Sequence, residues 1–498
     1  MNISTYFGAK GYTINKKDLT SIQIDTIKKD LTIKPFVNKS IGNFEEKLFP
    51  AYRESNNKLY VPHYYGIEHF GLPKEYKISQ GENINLFFDG KLRENQELVV
   101  NTYMKHVQKA NIGGGLLELP CAFGKTILAL NIIMRLQKKT IIIVHKEFLL
   151  NQWIERIQQF LPKARIGKIQ AQIIDIENKD IVIGMLQSLS MKEYPSNIFE
   201  SFGFTIIDEV HHISSEVFSN SLFKIVTKYM LGLSATMNRK DGTTRVFKMF
   251  LGDVIFKGKR DEDRDVTVRA IDYYVNDEEF NKVITDFRGN TAFSSMISKI
   301  CEYNRRTDFI IQIISDLFIE NPCQQIMVLA HNKNILTYIH DAIKHKNFAT
   351  VGYYVGGMKE AALKATESQQ VVIATYSMAA EALDIKTLTT LIMATPKTDI
   401  EQSVGRILRE KHSNPIVVDI IDSHPTFQNQ WKKRRAFYMK ENYKIIYTTN
   451  SNYKRNPDIH DWEVIYEPGL KAHKYSKKII EKEESDDCLP GKCLLLKK

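Results

Sequence analysis

The stretch 116–126, Leu-Leu-Glu-Leu-Pro-Cys-Ala-Phe-Gly-Lys-Thr, constrains this chain more than any other. Leu116 to Leu119 is a short apolar run that predicts a buried strand. Pro120 predicts a turn, and Gly124-Lys125-Thr126 opens an apolar, helix-like run that reaches Met134. Strand, loop, Gly-Lys-Thr, helix is an arrangement that holds phosphate. Backbone N–H groups and a helix N-terminus face the anion, Lys125 reaches the terminal phosphates, and the Thr126 hydroxyl holds Mg2+. Pro120, Cys121, Ala122, Phe123 and Gly124 then line the nucleotide. The loop has Leu119 where the usual pattern begins with Gly, and the tripeptide alone fits a surface turn equally well. The rest of the chain has to decide.

The flanking sequence predicts α/β architecture. Short β-rich runs at 140–144, 180–184, 204–207 and 229–233 alternate with helical patterns such as 148–160, as parallel strands covered on both faces do. A charge-dense run at 256–267 predicts a linker or surface loop. A second alternating set follows, with strands at 325–330, 351–355, 371–374, 391–394 and 415–421 and helices at 308–318, 332–343 and 400–408. Residues 1–85 are aromatic-rich, with a helix expected at 18–31 and a strand from 58 ending in a turn by 66. His63 and His69 are expected to be ordinary surface histidines. Lys432-Lys433-Arg434-Arg435 and the aromatics from Trp431 to Tyr447 suit either stacking on unpaired bases or a helix packing its rings inward with lysines in solvent. The expected domains are 1–85 (accessory), 86–260, 261–435 and a basic extension with a flexible tail, 436–498.

Composition narrows the class. The 498 residues carry 69 lysines and arginines against 58 acidic residues, a formal net charge of +11, which favours a polyanionic partner. Five scattered cysteines suggest a reducing intracellular compartment and no disulfide framework. No signal-peptide core and no run of about 18 apolar residues is found, so no membrane association is expected.

Phe204-Thr205-Ile206-Ile207-Asp208-Glu209-Val210-His211-His212 puts two acids at a strand end. Asp208 suits Mg2+ and Glu209 suits polarising a water, which is what phosphoryl transfer to water needs. Asp-Glu-Val-His is also the motif II signature of the superfamily 2 helicases, which the chain resembles over roughly residues 90–425. That resemblance implies two tandem RecA-like domains using ATP and Mg2+. Arg93 and Gln96 match its adenine-recognition element, with Phe87 or Phe88 stacking on the base. Ser234-Ala235-Thr236 matches motif III, which couples hydrolysis to strand movement. Glu381-Ala382-Leu383-Asp384 looks like motif V, with Ala382 in place of the usual Gly and a tighter backbone expected there. Gln402 to Arg409 matches motif VI, implying that Gln402 lies at the nucleotide and that Arg406 and Arg409 approach it from the second domain, Arg409 as the arginine finger.

Leu119-Pro120-Cys121 and 232–242 are similar to the XPB-like and UvsW-like branch, whose members act mainly on double-stranded DNA. Arg239-Lys240-Asp241 departs from that branch's Arg-Glu-Asp at the middle position. Tyr52-Arg53-Glu54-Ser55 and Leu59-Tyr60-Val61-Pro62 resemble helicases of large cytoplasmic DNA viruses, the poxvirus transcript-release type among them. That implies a viral factory or a packaged protein and transcription machinery as partner. The expectation is an ATP-driven helicase or translocase on nucleic acid, DNA favoured and RNA the alternative. A duplex translocase that remodels without separating strands and a catalytically dead scaffold are the competing readings.

Overall fold

The computed structural model describes residues 3–35, 48–109, 113–120, 123–195, 197–213, 215–237, 242–258, 265–381, 383, 385–408, 410, 412–455 and 462–469. The chain divides into two compact units, residues 1–260 and 261–498.

The first unit begins with a small sheet in the order Arg53–Glu54, Lys58–Val61, Gly11–Asn15, Thr5–Gly8, Glu75–Lys77. Alternation sends Phe7, Tyr12, Ile14, Leu59 and Val61 to one face, where they are buried. The chain from 62 onward, expected to turn, instead forms the helix His63–Phe70, with Pro62 as its N-cap. His63 is correspondingly buried rather than on the surface, stacked on Phe7 with ring centroids 4.0 Å apart. Burial drives its pKa down to about 3, so the ring stays neutral.

The larger sheet of this unit, among the described residues, has eight strands. Their order is Ile173–Ile174, Ile166–Gln170, Ile181–Met185, Thr140–Val144, Phe204–Ile207, Tyr229–Ser234, Gly113–Glu118, Val254–Lys257. All neighbours pair in parallel except the outermost hairpin at Ile173–Ile174. The central strands are buried on both faces, which explains their unbroken apolar runs. The first of two hydrophobic clusters here, around Leu116, Ile141 and Phe218, is continuous with the small sheet's core.

The second unit holds another eight-stranded sheet, in the order Val351–Tyr354, Val371–Thr375, Ile326–Ala330, Thr390–Met393, Ile416–Asp422, Thr267–Tyr273, Lys444–Thr449, Glu463–Tyr466. It is parallel up to the last, antiparallel strand. Residues 444–449 and 463–466 therefore continue this sheet. The helix Pro425–Lys440 packs Phe427, Trp431 and Tyr438 inward and leaves Lys432 and Lys433 in solvent, the second of the two readings of that segment. Arg434 departs from its basic run. It is fully buried, donating through Nε and Nη2 to Asp419 at 2.8 Å each, and Tyr438 donates to the same carboxylate at 3.0 Å. Arg306 holds Asp422 in the same bidentate way, both side chains fully buried.

Removing one partner of such a pair strands a charge in the interior, at about 3–5 kcal/mol. Asp419→Ala is expected to destabilise the second unit by that order, seen as a lower denaturant midpoint. Lys433→Ala on the exposed face of the same helix should stay within about 0.5 kcal/mol.

Candidate nucleotide site

The strand Gly113–Glu118 delivers the chain to the phosphate-type loop, and the N–H of Leu119 donates to the Ser234 carbonyl at 2.8 Å as it leaves the sheet. Gly124 caps the helix Lys125–Leu136 with φ +92°. A side chain there would strain the backbone and would also put its Cβ 2.5 Å from Gln96 Nε2. Gln96 is buried. Its Nε2 donates to the Phe123 carbonyl at 2.8 Å, and Arg93 Nη2 donates to the same oxygen at 2.7 Å. The predicted adenine-recognition pair thus grips the loop backbone. Of the two phenylalanines considered for base stacking, Phe88 lies on Phe160 at 5.6 Å and 10°, while Phe87 is exposed.

The acids follow the strand Phe204–Ile207. Asp208 is buried; its Oδ2 accepts the Trp153 indole N–H at 2.9 Å and its Oδ1 accepts the Glu209 N–H at 3.0 Å. Burial, and then the charge of Glu209, push the Asp208 carboxyl up to about 6 against the opposing pull of Lys125. Such a carboxyl is stabilised in its charged form by a nearby cation, so it fits a metal ligand. Mg2+ normally takes one or two carboxylates and completes its shell with phosphates and water.

Glu209 sits at φ +48°, ψ +53°, left-handed backbone that costs a non-glycine residue free energy. The conformation aims its carboxylate at the loop: Oε1 is 2.8 Å from Lys125 Nζ. On its other side, Oε2 is 3.4 Å from His211 Nδ1, which lies 2.7 Å from Ser234 Oγ. The Ser234 hydroxyl donates to the Thr236 carbonyl. With its one proton spent there, its oxygen accepts, so Nδ1 of His211 carries the proton. Polar contacts thus join Lys125 to Glu209, and His211 to the Ser234–Thr236 segment, with Glu209 Oε2 and the His211 ring 3.4 Å apart between them.

The structure brings together Lys125, Asp208, Glu209 and Ser234, and separately Arg93, Gln96 and the loop at Phe123. Ala235 and Thr236 follow Ser234 at the end of the strand Tyr229–Ser234, Pro120 begins the loop, and Thr126 is in the first turn of the helix Lys125–Leu136. In the second unit, Arg406 is buried and its Nη1 donates to the Leu383 carbonyl at 2.7 Å; Gln402 lies on the short helix Glu401–Gly405. Cys121, Ala122, Ala382, Asp384, Arg409 and residues 238–241 lie outside the described residues. Trp153 and the His211 ring are contributors that the sequence reading gave no role. A buried indole needs an acceptor for its N–H, which is the only signal Trp153 offered.

Gly124→Ala should lower affinity for a fluorescent ATP analogue at least tenfold, because strain and the clash with Gln96 act on the loop together. Unchanged affinity in a titration would mean that the loop does not carry the phosphates.

Residues 89–239 match the family described as Type III restriction enzyme, res subunit. A protein of Acanthamoeba polyphaga mimivirus, named as an ATP-dependent RNA helicase, is 35% identical over 458 residues, covering 89% of this chain and 87% of the relative. A helicase of Invertebrate iridescent virus 6 is 25% identical over 420 residues, covering 78% and 91%. A fragment of an HsdR subunit of a type I restriction enzyme from Vibrio vulnificus shares the fold, with a TM-score of 0.51 at 15% identity, covering 73% of this chain and 70% of that one. Two RecA-like parallel sheets, a Gly-Lys-Thr loop facing an Asp-Glu-Val-His strand end, and these relatives agree: the chain belongs to the superfamily 2 ATP-dependent helicases of large DNA viruses.

Proposed function

We propose that the chain hydrolyses ATP to drive movement along nucleic acid, with DNA as the favoured track. The observation that carries this is the Lys125–Glu209 contact at 2.8 Å beside the buried Asp208, at the carboxyl ends of two parallel strands. Lys125 and the loop N–H groups bind the phosphates, while Thr126 and Asp208 hold Mg2+. When bound, the metal neutralises charge on the phosphate oxygens. An incoming γ-phosphate competes with Glu209 for the Lys125 ammonium. The carboxylate so released takes the proton of the attacking water. The water oxygen bonds to the γ-phosphorus, the bond to the β-γ bridging oxygen breaks, and ADP and phosphate leave. His211 and Ser234 sense which partner Glu209 has and pass that to the Ser234–Thr236 segment.

By its place in motif VI, Arg409 is our choice for the positive charge that the second domain supplies to the γ-phosphate, so that hydrolysis would weaken the closed arrangement; the other motif VI arginine, Arg406, donates to the Leu383 carbonyl. The XPB-like and UvsW-like residues and the match to the restriction-enzyme family support DNA. The name of the mimivirus relative supports RNA as the second reading. Viral origin supports a role in transcript release or DNA processing in a cytoplasmic factory. Among the described residues, no helix is long and apolar enough to cross a membrane.

ATPase activity titrated in parallel with single-stranded DNA, duplex DNA and RNA, at matched ionic strength, tests the assignment. Stimulation by DNA is expected. Stimulation by RNA alone would make this an RNA helicase, and no hydrolysis at all would leave a binding scaffold. Glu209→Gln should retain ATP binding and lose hydrolysis by orders of magnitude. Arg409→Ala should bind ATP and hydrolyse it roughly 10³-fold more slowly. Normal turnover by either folded variant would remove that residue from the mechanism.

A further inference from the structure

Residues 285–291 of the second unit form a tight hairpin that no step above uses. Thr285 and Thr291 bridge antiparallel. The Asp286 N–H donates to the Asn290 carbonyl at 2.7 Å, the Gly289 N–H to the Asp286 carbonyl at 3.0 Å, and the Ala292 N–H to the Ile284 carbonyl at 2.8 Å. One carboxylate oxygen of Asp286 accepts two further N–H groups across the turn, from Arg288 at 2.8 Å and from Asn290 at 2.9 Å. Gly289 completes the reversal at φ +79°. Lys299 fastens the hairpin's foot to the helix Phe293–Glu302 by donating to the Lys282 carbonyl at 2.6 Å. The turn is therefore preorganised by its own hydrogen bonds rather than by burial.

At its tip stands Phe287, 91% exposed and the most exposed large hydrophobic side chain among the described residues. Leaving a phenyl ring in water forgoes the stabilisation that burial would give, and nothing in the unit covers it. The Arg288 guanidinium is 5.0 Å from the ring centroid. Arg288 puts a cation beside the ring at the tip, and the one acid of the turn, Asp286, is committed to backbone N–H groups; at the foot Lys299 stands among Asp277, Glu279 and Glu302, so the positive charge offered to a strand is the one at the tip. A rigid aromatic face flanked by a cation is complementary to a base flanked by phosphates. At the hairpin's foot Val283, Ile284 and Phe293 are exposed to 36–37%, so an apolar contact is the competing occupant, which the abasic probe separates from base stacking.

We propose that Phe287 stacks on an unpaired base, making the 285–291 hairpin a single-strand contact of the second unit. The proposal rests on the reading of the chain as a nucleic-acid motor. It adds a base-contacting element to a machine whose phosphate contacts alone carry no information about pairing.

The test uses the full chain and two labelled probes of equal length and charge, an oligothymidylate and an abasic oligodeoxynucleotide, at one salt concentration. Phe287→Ala should weaken binding to the oligothymidylate about tenfold, within the range found for loss of one base–aromatic stack. Phe287→Trp should restore it. On the abasic strand, parent and Phe287→Ala should bind equally, because no base remains to stack. Parental affinity of Phe287→Ala for the oligothymidylate would overturn the proposal, as would an equal loss on the abasic strand. A change in sedimentation of the protein alone, with binding unaltered, would overturn it in favour of a self-contact. A parent that binds neither probe would overturn this inference, while the motor reading is decided separately by the ATPase titration with duplex DNA and RNA, so the two failures are distinguishable.

Discussion

A lysine and a glutamate that share one contact depend on the order of three strands. Lys125 follows the strand Gly113–Glu118 and Glu209 follows Phe204–Ile207; between them lies Tyr229–Ser234, which ends in Ser234. Parallel pairing places all three carboxyl ends on one edge, so residues far apart in sequence meet without any loop having to reach. The left-handed backbone at Glu209 then turns the carboxylate across the middle strand. The same strand order explains why the polar contacts beside the site reach Ser234: its strand is the one the Lys125–Glu209 contact spans.

The second unit solves a different problem with the same architecture. Its strand Ile416–Asp422 carries two buried acids, Asp419 and Asp422, each held bidentately by an arginine from a helix, Arg434 and Arg306. Buried ion pairs lose hydration that their attraction only partly returns, so they are weak contributors to stability. They are strong discriminators of register, because shifting either helix by a turn would strand both charges. The Ala394 and Lys397 carbonyls accept further guanidinium N–H groups, from Arg306 and Arg434 respectively, which extends the constraint to the segment after Thr390–Met393. These pairs hold that segment in place ahead of the helix Glu401–Gly405 that carries Gln402.

What was legible in the sequence follows from period and chemistry. Strands such as Thr140–Val144 and Ile326–Ala330 announce themselves because burial on both faces suits short runs without charge, β-branched in the first and mixed apolar in the second. The strand Gly113–Glu118 was half hidden: the apolar run from Leu116 marked its second half, while three leading glycines carry no apolar signal. The helix at His63 was hidden by Pro62, which ends one element and caps the next. Arg434 could not be told from the rest of its basic run, because its partner lies on a strand upstream and no local pattern marks it. In the site, Lys125, Asp208, Glu209 and Ser234 stand in recognisable strings. The Trp153–Asp208 and His211–Ser234 bonds depend on side-chain direction across the sheet, and a string of letters does not contain direction.

Gly114 lies in the strand that ends in the phosphate-type loop, and both its backbone groups are shared with the small sheet's helix. The Tyr64 hydroxyl donates to its carbonyl at 3.1 Å and accepts its N–H at 2.9 Å, and a Cβ at Gly114 would lie 2.6 Å from that oxygen. Arg245 reaches Asp30 with two contacts of 2.7 Å, and the two sheets share one apolar cluster. The aromatic N-terminal segment is thus grafted onto the wall of the motor and is no pendant. Trimming the chain at residue 85 would therefore open a hole against Gly114, in the strand that leads to the nucleotide loop, and expose apolar core that the two sheets now share.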